Sequence, residues 1–251
     1  MDLIEKSTNL DRRHPWELSR ADSVVRLLNS QGLAGRENLR ILDVGCGDAF
    51  AGRRVREALN ACQLVGVDAH LDEETAKPML RPGETFVRDA TMVTGLFDVF
   101  LFLDVIEHVE DDVALLRQYI EPHAADGATV LVTVPAFQGL FSRHDVALKH
   151  VRRYSGGQLR HQLAQAGLTI ERDGYWFGSL LPARAATLML EKLRSPKVDP
   201  HAVGIGQWRG GNTLTGLLHG IMSIENRLLT KISYHGVRLP GLSAWALCRI
   251  G

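Results

Sequence analysis

Residues Ile41-Leu42-Asp43-Val44-Gly45-Cys46-Gly47 form a short apolar run that stops at an acid and then turns through two glycines. A second apolar run, Leu64-Val65-Gly66-Val67, closes on Asp68. A strand, a glycine turn and an acid ending the next strand, about 20 residues on, make the half-site that holds an adenosine-containing cofactor. Gly45 and Gly47 lack a Cβ, so the chain can turn tightly and a ligand can approach its backbone. Asp68 would accept hydrogen bonds from the two ribose hydroxyls. Further along, Asp104, Glu107 and His108 stand at i, i+3 and i+4, sharing one face if the segment turns helical. His144 and His150 follow the next apolar run. Carboxylates and imidazoles of this kind can take a proton from a hydroxyl or hold a hard cation. Each acid taken singly also reads as an ordinary strand-end or helix-capping residue.

These residues need a scaffold. The periodicity predicts a helix over 16–29 ending at Gly32, strands over 41–44 and 64–67, and a helix over 52–60 between them. A short strand at 86–87 and an apolar strand at 97–103 follow, the latter read as buried and parallel. A helix over 111–120, a β-branched strand over 128–134, and a helix over 155–166 stopped by Gly167 come next. Residues 168–172 with 175–177 give a sixth strand and 242–250 a last one. Alternating strands and helices imply an α/β, mostly parallel, doubly wound sheet. Ligands in such sheets sit beyond the carboxyl ends of the strands, where Asp43, Asp68, Asp104 and Pro135 all fall.

The stretch 178–238 between the last two strands reads as a helical insertion or substrate cap. Its second half carries Leu214, Leu217, Leu218, Ile221, Ile224, Leu228, Leu229 and Ile232 on one helical face. His219, Ser223, Asn226, Arg227 and Lys231 fall largely on the other. The favoured expectation is that the apolar stripe packs on the core or on a second copy. The alternative is an apolar roof against a membrane surface or a lipid-linked acceptor. Residues 197–212, glycine-rich around Trp208, read as a lid loop.

Lys plus Arg and Asp plus Glu each number 29, so no basic field exists to recruit nucleic acid or an anionic membrane. Cys46, Cys62 and Cys248 form neither metal-type spacing nor an even disulfide set, which points to a reducing compartment. The N-terminus shows no basic-then-apolar export pattern, so a cytoplasmic location is expected.

The glycine turn separates two kinds of cofactor. A dinucleotide site wants a third glycine close behind Gly47, whereas Asp48-Ala49-Phe50-Ala51 intervenes before Gly52. Asp43, two residues before the first glycine, would repel a pyrophosphate but suits a cofactor bearing ammonium and sulfonium charges. On these residues the chain resembles the class I S-adenosylmethionine-dependent methyltransferases. Asp43-Val44-Gly45-Cys46-Gly47 resembles their first motif and Asp68 their ribose acid. Phe86-Val87-Arg88-Asp89-Ala90 resembles the segment whose acid meets the adenine amino group, and the run from Phe97 to Val109 their fourth motif. The resemblance covers roughly 12–177 and the last ten residues. It implies a Rossmann-like, seven-stranded sheet with an antiparallel final hairpin, formed by 1–177 with 239–251, in which 1–32 is a lid helix. It also implies a cofactor site of Asp43, Gly45, Cys46, Gly47, Asp48, Asp68, Ala69, Asp89, Ala90, Asp104 and Val105.

Two narrower resemblances bear on the chemistry. Asp104-x-x-Glu107-His108 is similar to the acid-x-x-Glu-His motif of ubiquinone-pathway O-methyltransferases and of small-RNA 3′-end methyltransferases, where it can hold a divalent ion. That implies Asp104, Glu107, His108 and His150 as ligands for Mg²⁺ or Mn²⁺. The chain departs from the pattern in its first ligand, an aspartate for a glutamate, and in lacking the phenylalanine-rich RNA signature. Metal-free relatives carry Glu-His here too, so a base drawn from His150, His144 or His108, or a structural histidine, stays open. The segment Val134-Pro135-Ala136-Phe137 through Arg153-Tyr154-Ser155 resembles a bacterial group associated with glycan, lipid-linked sugar or secondary-metabolite assembly. His14-Pro15-Trp16 with Arg20 resembles that group's lid over the cofactor. Arg152 and Arg153 would grip an acceptor phosphate or carboxylate, or else form a solvated basic turn. The expected function is O-methylation of a small-molecule, sugar or lipid-linked acceptor, with a homodimer or peripheral membrane contact as partners. The rivals are an RNA methyltransferase and a non-catalytic, cofactor-binding partner subunit.

Overall fold

The computed structural model describes residues 13–33, 36–71, 80–193, 208 and 210–250. Strands β1 (Arg40–Val44), β2 (Gln63–Val67), β3 (Glu84–Val87), β4 (Phe97–Leu103), β5 (Ala124–Pro135), β6 (Leu168–Trp176) and β7 (Ser243–Ile250) form one sheet, ordered β3-β2-β1-β4-β5-β7-β6. β1 to β5 run parallel, and β7 is antiparallel to both β5 and β6. This is the Rossmann-like, doubly wound sheet with an antiparallel final hairpin. β6 is continuous where two pieces were expected, because Asp173 and Gly174 stay paired with Ala246 and Trp245 of β7.

Helices α1 (Pro15–Asn29), α2 (Phe50–Leu59), α3 (Asp112–Ile120), α4 (Arg143–Ala147), α5 (Gly156–Gln165), α6 (Leu181–Leu193) and α7 (Asn212–Ser233) surround it. The pleat sorts β4 into two cores. Phe100 and Phe102 pack with Leu116 and Ile120 of α3 and Leu159 and Leu163 of α5. Val99, Leu101 and Leu103 pack with Leu27 and Leu28 of α1 and Val55 and Leu59 of α2. Both faces are covered, so β4 is apolar throughout its middle.

α7 reverses the expected orientation. Leu214, Leu217, Ile221, Ile224 and Leu228 are exposed, while Met222 and Asn226 face the protein. Polar contacts draw the polar side inward. His219 Nε2 lies 2.8 Å from Asp22 Oδ2, and Ser223 and Asn226 reach Ser19. Trp176 Nε1 donates to Thr230 Oγ1 at 3.0 Å. The apolar stripe therefore does not pack on the core of its own chain. Of the expected lid loop, 197–207 and 209 lie outside the described residues. Trp208 sets its ring edge against His14, with centroids 5.0 Å apart. No helix among the described residues is long and apolar enough to cross a membrane.

Asn226 is the pin of this arrangement. It is fully buried, its Oδ1 accepts from Phe177 N at 2.9 Å, and its Nδ2 donates to Ser23 Oγ at 3.2 Å. Asn226→Ala strands these groups, so urea denaturation should report a loss of about 2–4 kcal/mol. An unchanged midpoint would show that α7 is held by other contacts.

Candidate functional site

The glycine turn is locked by the acid that ends β2. Gly45 N and Cys46 N donate to Val67 O at 2.7 and 3.0 Å, hooking the turn over β2. Asp68 then accepts from Gly47 N at 3.0 Å on one oxygen and from His70 N at 2.9 Å on the other. Gly45 has φ +68°, and a Cβ there would lie 2.5 Å from Val105 Cγ2, so glycine is required both for the turn and for its seat on the β4 loop. Asp43 lies behind the turn, with α2 pressed against it at Gly52. Burial pushes its carboxyl up to about 7, a group that gains from any cation brought close.

A cavity of about 530 Å³ opens beyond these strand ends. Of the expected cofactor residues, Gly45, Asp68, Ala69, Asp89, Ala90, Asp104 and Val105 line it. Asp43, Cys46, Gly47 and Asp48 support the turn instead of lining the cavity. Asp48 pairs with Arg13, whose guanidinium also sits over the Phe50 ring. Asp89 is exposed and caps a single turn at Ala90–Met92 by accepting from Thr91 N at 2.8 Å. Tyr119 and Lys149 join the lining unannounced by any motif.

A second cavity, about 320 Å³, lies beside the first and shares Asp104, His108 and Leu148 with it. Asp104 adopts φ +57° and is held there by two bonds to Thr133: its N–H donates to the Thr133 carbonyl at 2.9 Å and its Oδ1 accepts from Thr133 Oγ1 at 3.0 Å. Its other oxygen pairs with buried Arg20, which lies over the Trp16 ring. Arg20 and Trp16 line the second cavity and not the first. The lid residues of α1 thus reach the larger cavity through Asp104.

Glu107, His108 and His150 converge on the second cavity, each offering a ligand atom within 4.8 Å of the others. Asp104 stands outside this cluster, because the chain leaves β4 in a left-handed residue and only Ile106–His108 form a helical turn. Glu107 is fully buried, and neither carboxylate oxygen has a hydrogen-bond partner among the described residues. Burial pushes its carboxyl up to about 8. His150 lies edge-on to His108, ring centroids 4.7 Å apart. Its Nδ1 is 3.0 Å from Asp145 Oδ1, which leaves Nε2 as the nitrogen available to a ligand.

Asp145 was given no role by motif reading, yet it is the residue that orients His150. It is the third residue of α4, where a capping box closes: Ser142 Oγ accepts from the backbone and Asp145 accepts from Ser142 N at 2.9 Å. The Ser142-x-x-Asp145 spacing was the available signal. Burial works to raise its carboxyl, but bonds from His150 and Arg153 and the Arg153 charge hold it well below the usual range. Arg152 points elsewhere, to Glu110 and Asp112. Arg153 is buried, and its Nε donates to Asp145 Oδ1 at 2.7 Å. His144 lines the same cavity from the start of α4.

A family model described as a methyltransferase domain matches residues 16–172. A ubiquinone biosynthesis O-methyltransferase from Azorhizobium caulinodans is 28% identical over 136 residues, covering 50% of this chain and 52% of that protein. The chain therefore spans about half the length of the curated relative it matches. Among solved structures, an S-adenosylmethionine-dependent methyltransferase from Archaeoglobus fulgidus superposes with TM-score 0.50 at 13% identity, covering 91% of this chain and 94% of that one. Another from Mesorhizobium loti gives 0.52 at 15%, covering 91% and 99%. The cyclase SpnF gives 0.56 at 20%, covering 96% and 84%. At such identities the likeness shows the fold alone, and a cyclase on the same fold is a reminder that reaction type is argued from the site.

The Glu107 environment has a measurable consequence in chelator-treated protein. With its carboxyl near 8 when folded and 4.5 as the ordinary value, the native state keeps a proton that the unfolded chain has lost. Glu107 should therefore erode stability as pH rises from about 4.5 to about 8, by at most about 1.4 kcal/mol per pH unit. Glu107→Gln stays neutral, so its stability advantage over the parent should grow across that window. Parallel stability curves would place Glu107 in an ordinary aqueous environment.

Proposed function

Because the chain belongs to the class I S-adenosylmethionine-dependent methyltransferases, whose domain model spans residues 16–172, we propose that it moves the cofactor's methyl group to an oxygen of a small-molecule, sugar or lipid-linked acceptor. The family's cofactor is S-adenosylmethionine. The observation that carries the proposal is that an Asp145-oriented imidazole stands in a cavity that joins the cofactor cleft at Asp104 and His108.

In this reading the nucleoside lies in the larger cavity with its ribose hydroxyls on Asp68 and its sulfonium toward Asp104. The acceptor enters the smaller cavity, for which residues 178–238 act as a cap through Leu180 and Arg184. When bound, the cofactor would supply an electrophilic methyl carbon, to which an acceptor oxygen aligned in the smaller cavity would bond while the carbon–sulfur bond leaves its electron pair on sulfur. His150 Nε2 takes the hydroxyl proton. Asp145 fixes the tautomer that makes this possible and stabilises the imidazolium that results. Alignment of the two ligands and exclusion of water supply the remainder, since the cofactor itself carries the reactivity.

A second reading is favoured by the orphaned Glu107 carboxylate. A buried acid without a partner beside two imidazoles suits a hard divalent ion, held by Glu107, His108 and His150 with Asp145 behind His150. Such an ion, when bound, would lower the pKa of the acceptor hydroxyl. The exposed face of α7 supports a lipid-linked acceptor, peripheral membrane contact or a second copy as partner. Neutral net charge speaks against nucleic acid. The built dyad speaks against a purely docking role.

Incubating a metabolite extract with enzyme and isotopically labelled cofactor should place the label on oxygen. Label on nitrogen or carbon, or none, would refute the proposal. His150→Ala should lower turnover about 10²–10⁴-fold while cofactor affinity holds. Activity that survives EDTA assigns His150 as base. Activity lost to EDTA and restored by Mn²⁺ assigns it as ligand, and undiminished turnover in the variant dismisses both roles.

A further inference from the structure

Arg184, on α6, enters the smaller cavity from the helical insertion. Its guanidinium has an incomplete set of partners. Nη2 bonds Ser142 Oγ, reaches Asp145 Oδ2 at 3.2 Å and lies 3.5 Å from Leu140 O. Nε is buried and has no hydrogen-bond partner among the described residues. Asp145 cannot take more, since it already accepts from Ser142 N, Ser142 Oγ, His150 and Arg153. A carboxylate offers only about four acceptor sites.

The charges do not balance locally either. Two guanidinium groups, Arg153 and Arg184, share the single carboxylate of Asp145. The other acids of the cavity are Asp104, committed to Arg20, and Glu107, whose oxygens take a hydrogen bond from neither arginine. In a site walled by Leu148, Leu180 and Leu242, Arg184 is left to share Asp145 with Arg153, and Glu191 of its own helix acts on it through space. A partly buried guanidinium that shares its counter-ion is less fully compensated than one with a carboxylate of its own. Burial and the neighbouring Arg153 charge disfavour the Arg184 charge, with Asp145 and Glu191 opposing them, so an incoming anion would relieve the remaining strain.

We propose that Arg184 anchors an acidic group, a carboxylate or phosphate, on the acceptor, and that the smaller cavity thereby selects anionic acceptors with an apolar body. The proposal rests on reading that cavity as the acceptor site. Arg184 acts here as a specificity residue, supplying a planar donor fork that matches both oxyanion types.

The test is calorimetry on protein loaded with S-adenosylhomocysteine, which prevents turnover. 3,4-Dihydroxybenzoate should bind at least about tenfold tighter than the isosteric 3,4-dihydroxybenzamide, a difference of about 1.4 kcal/mol. 4-Hydroxyphenyl phosphate run alongside tells whether carboxylate or phosphate is preferred. Arg184→Gln should erase the preference for the anions over the amide. Arg184→Lys, which keeps charge but not the fork, should retain part of it and carries the test if the glutamine variant does not fold. Melting curves and the S-adenosylhomocysteine titration report whether each variant is folded. Equal affinity for acid and amide, no binding of any probe to the loaded protein, or a preference that Arg184→Gln leaves intact would overturn the proposal. Failure of the parent protein to bind S-adenosylhomocysteine would instead strike at the methyltransferase reading.

Discussion

The ion pair of Asp104 with Arg20 stands on the wall between the two cavities and, in the proposed reading, marks where one ligand ends and the other begins. Asp104 terminates β4 in a left-handed conformation that two bonds to Thr133 of the neighbouring strand maintain. That places one carboxylate on the wall common to both cavities. Arg20 arrives from α1, so the helix that covers the sheet is tied to the point where a methyl group would pass. In the proposed reading, ligand geometry and the seating of α1 on the sheet therefore meet at the same atoms.

From that point the two sides of the site differ in character. On the cofactor side, acids sit at strand ends and their work is partly structural: Asp68 braces the glycine turn before it meets any ribose. Asp43 is buried behind the turn with its proton held more tightly than usual, so a cationic ligand nearby would shift its charge state. On the other side, Asp145 gathers a serine, a histidine and two arginines around one carboxylate. This gives His150 a defined tautomer and leaves Glu107 and Arg184 incompletely satisfied. Unsatisfied buried polar groups are few in folded proteins and mark places where a ligand can complete the bonding.

Much of the cofactor half was legible in the sequence because its determinants are local. Gly45 and Asp68 sit at turn and strand-end positions whose backbone needs are written in residue type. The five parallel strands were legible for the same reason, apart from their ends. The acceptor half was not. Arg184 and Asp145 lie on different helices, and nothing in local spacing joins them. Periodicity revealed the amphipathic character of α7 but not which face turns inward. Asn226, Ser223 and His219 find partners on α1, and those bonds outweigh the burial of the leucine stripe. The sharing of one ligand face by Asp104 and Glu107 failed because a left-handed residue interrupts the helix that spacing assumed.

The central claim is that the two cavities are one reaction site divided by Asp104. A crystal structure with S-adenosylhomocysteine tests it most directly. The account predicts the thioether sulfur beside Asp104 and His108, facing the smaller cavity, with the ribose hydroxyls on Asp68. A sulfur directed away from that junction, or a phosphate-bearing molecule seated at the glycine turn in its place, would contradict it.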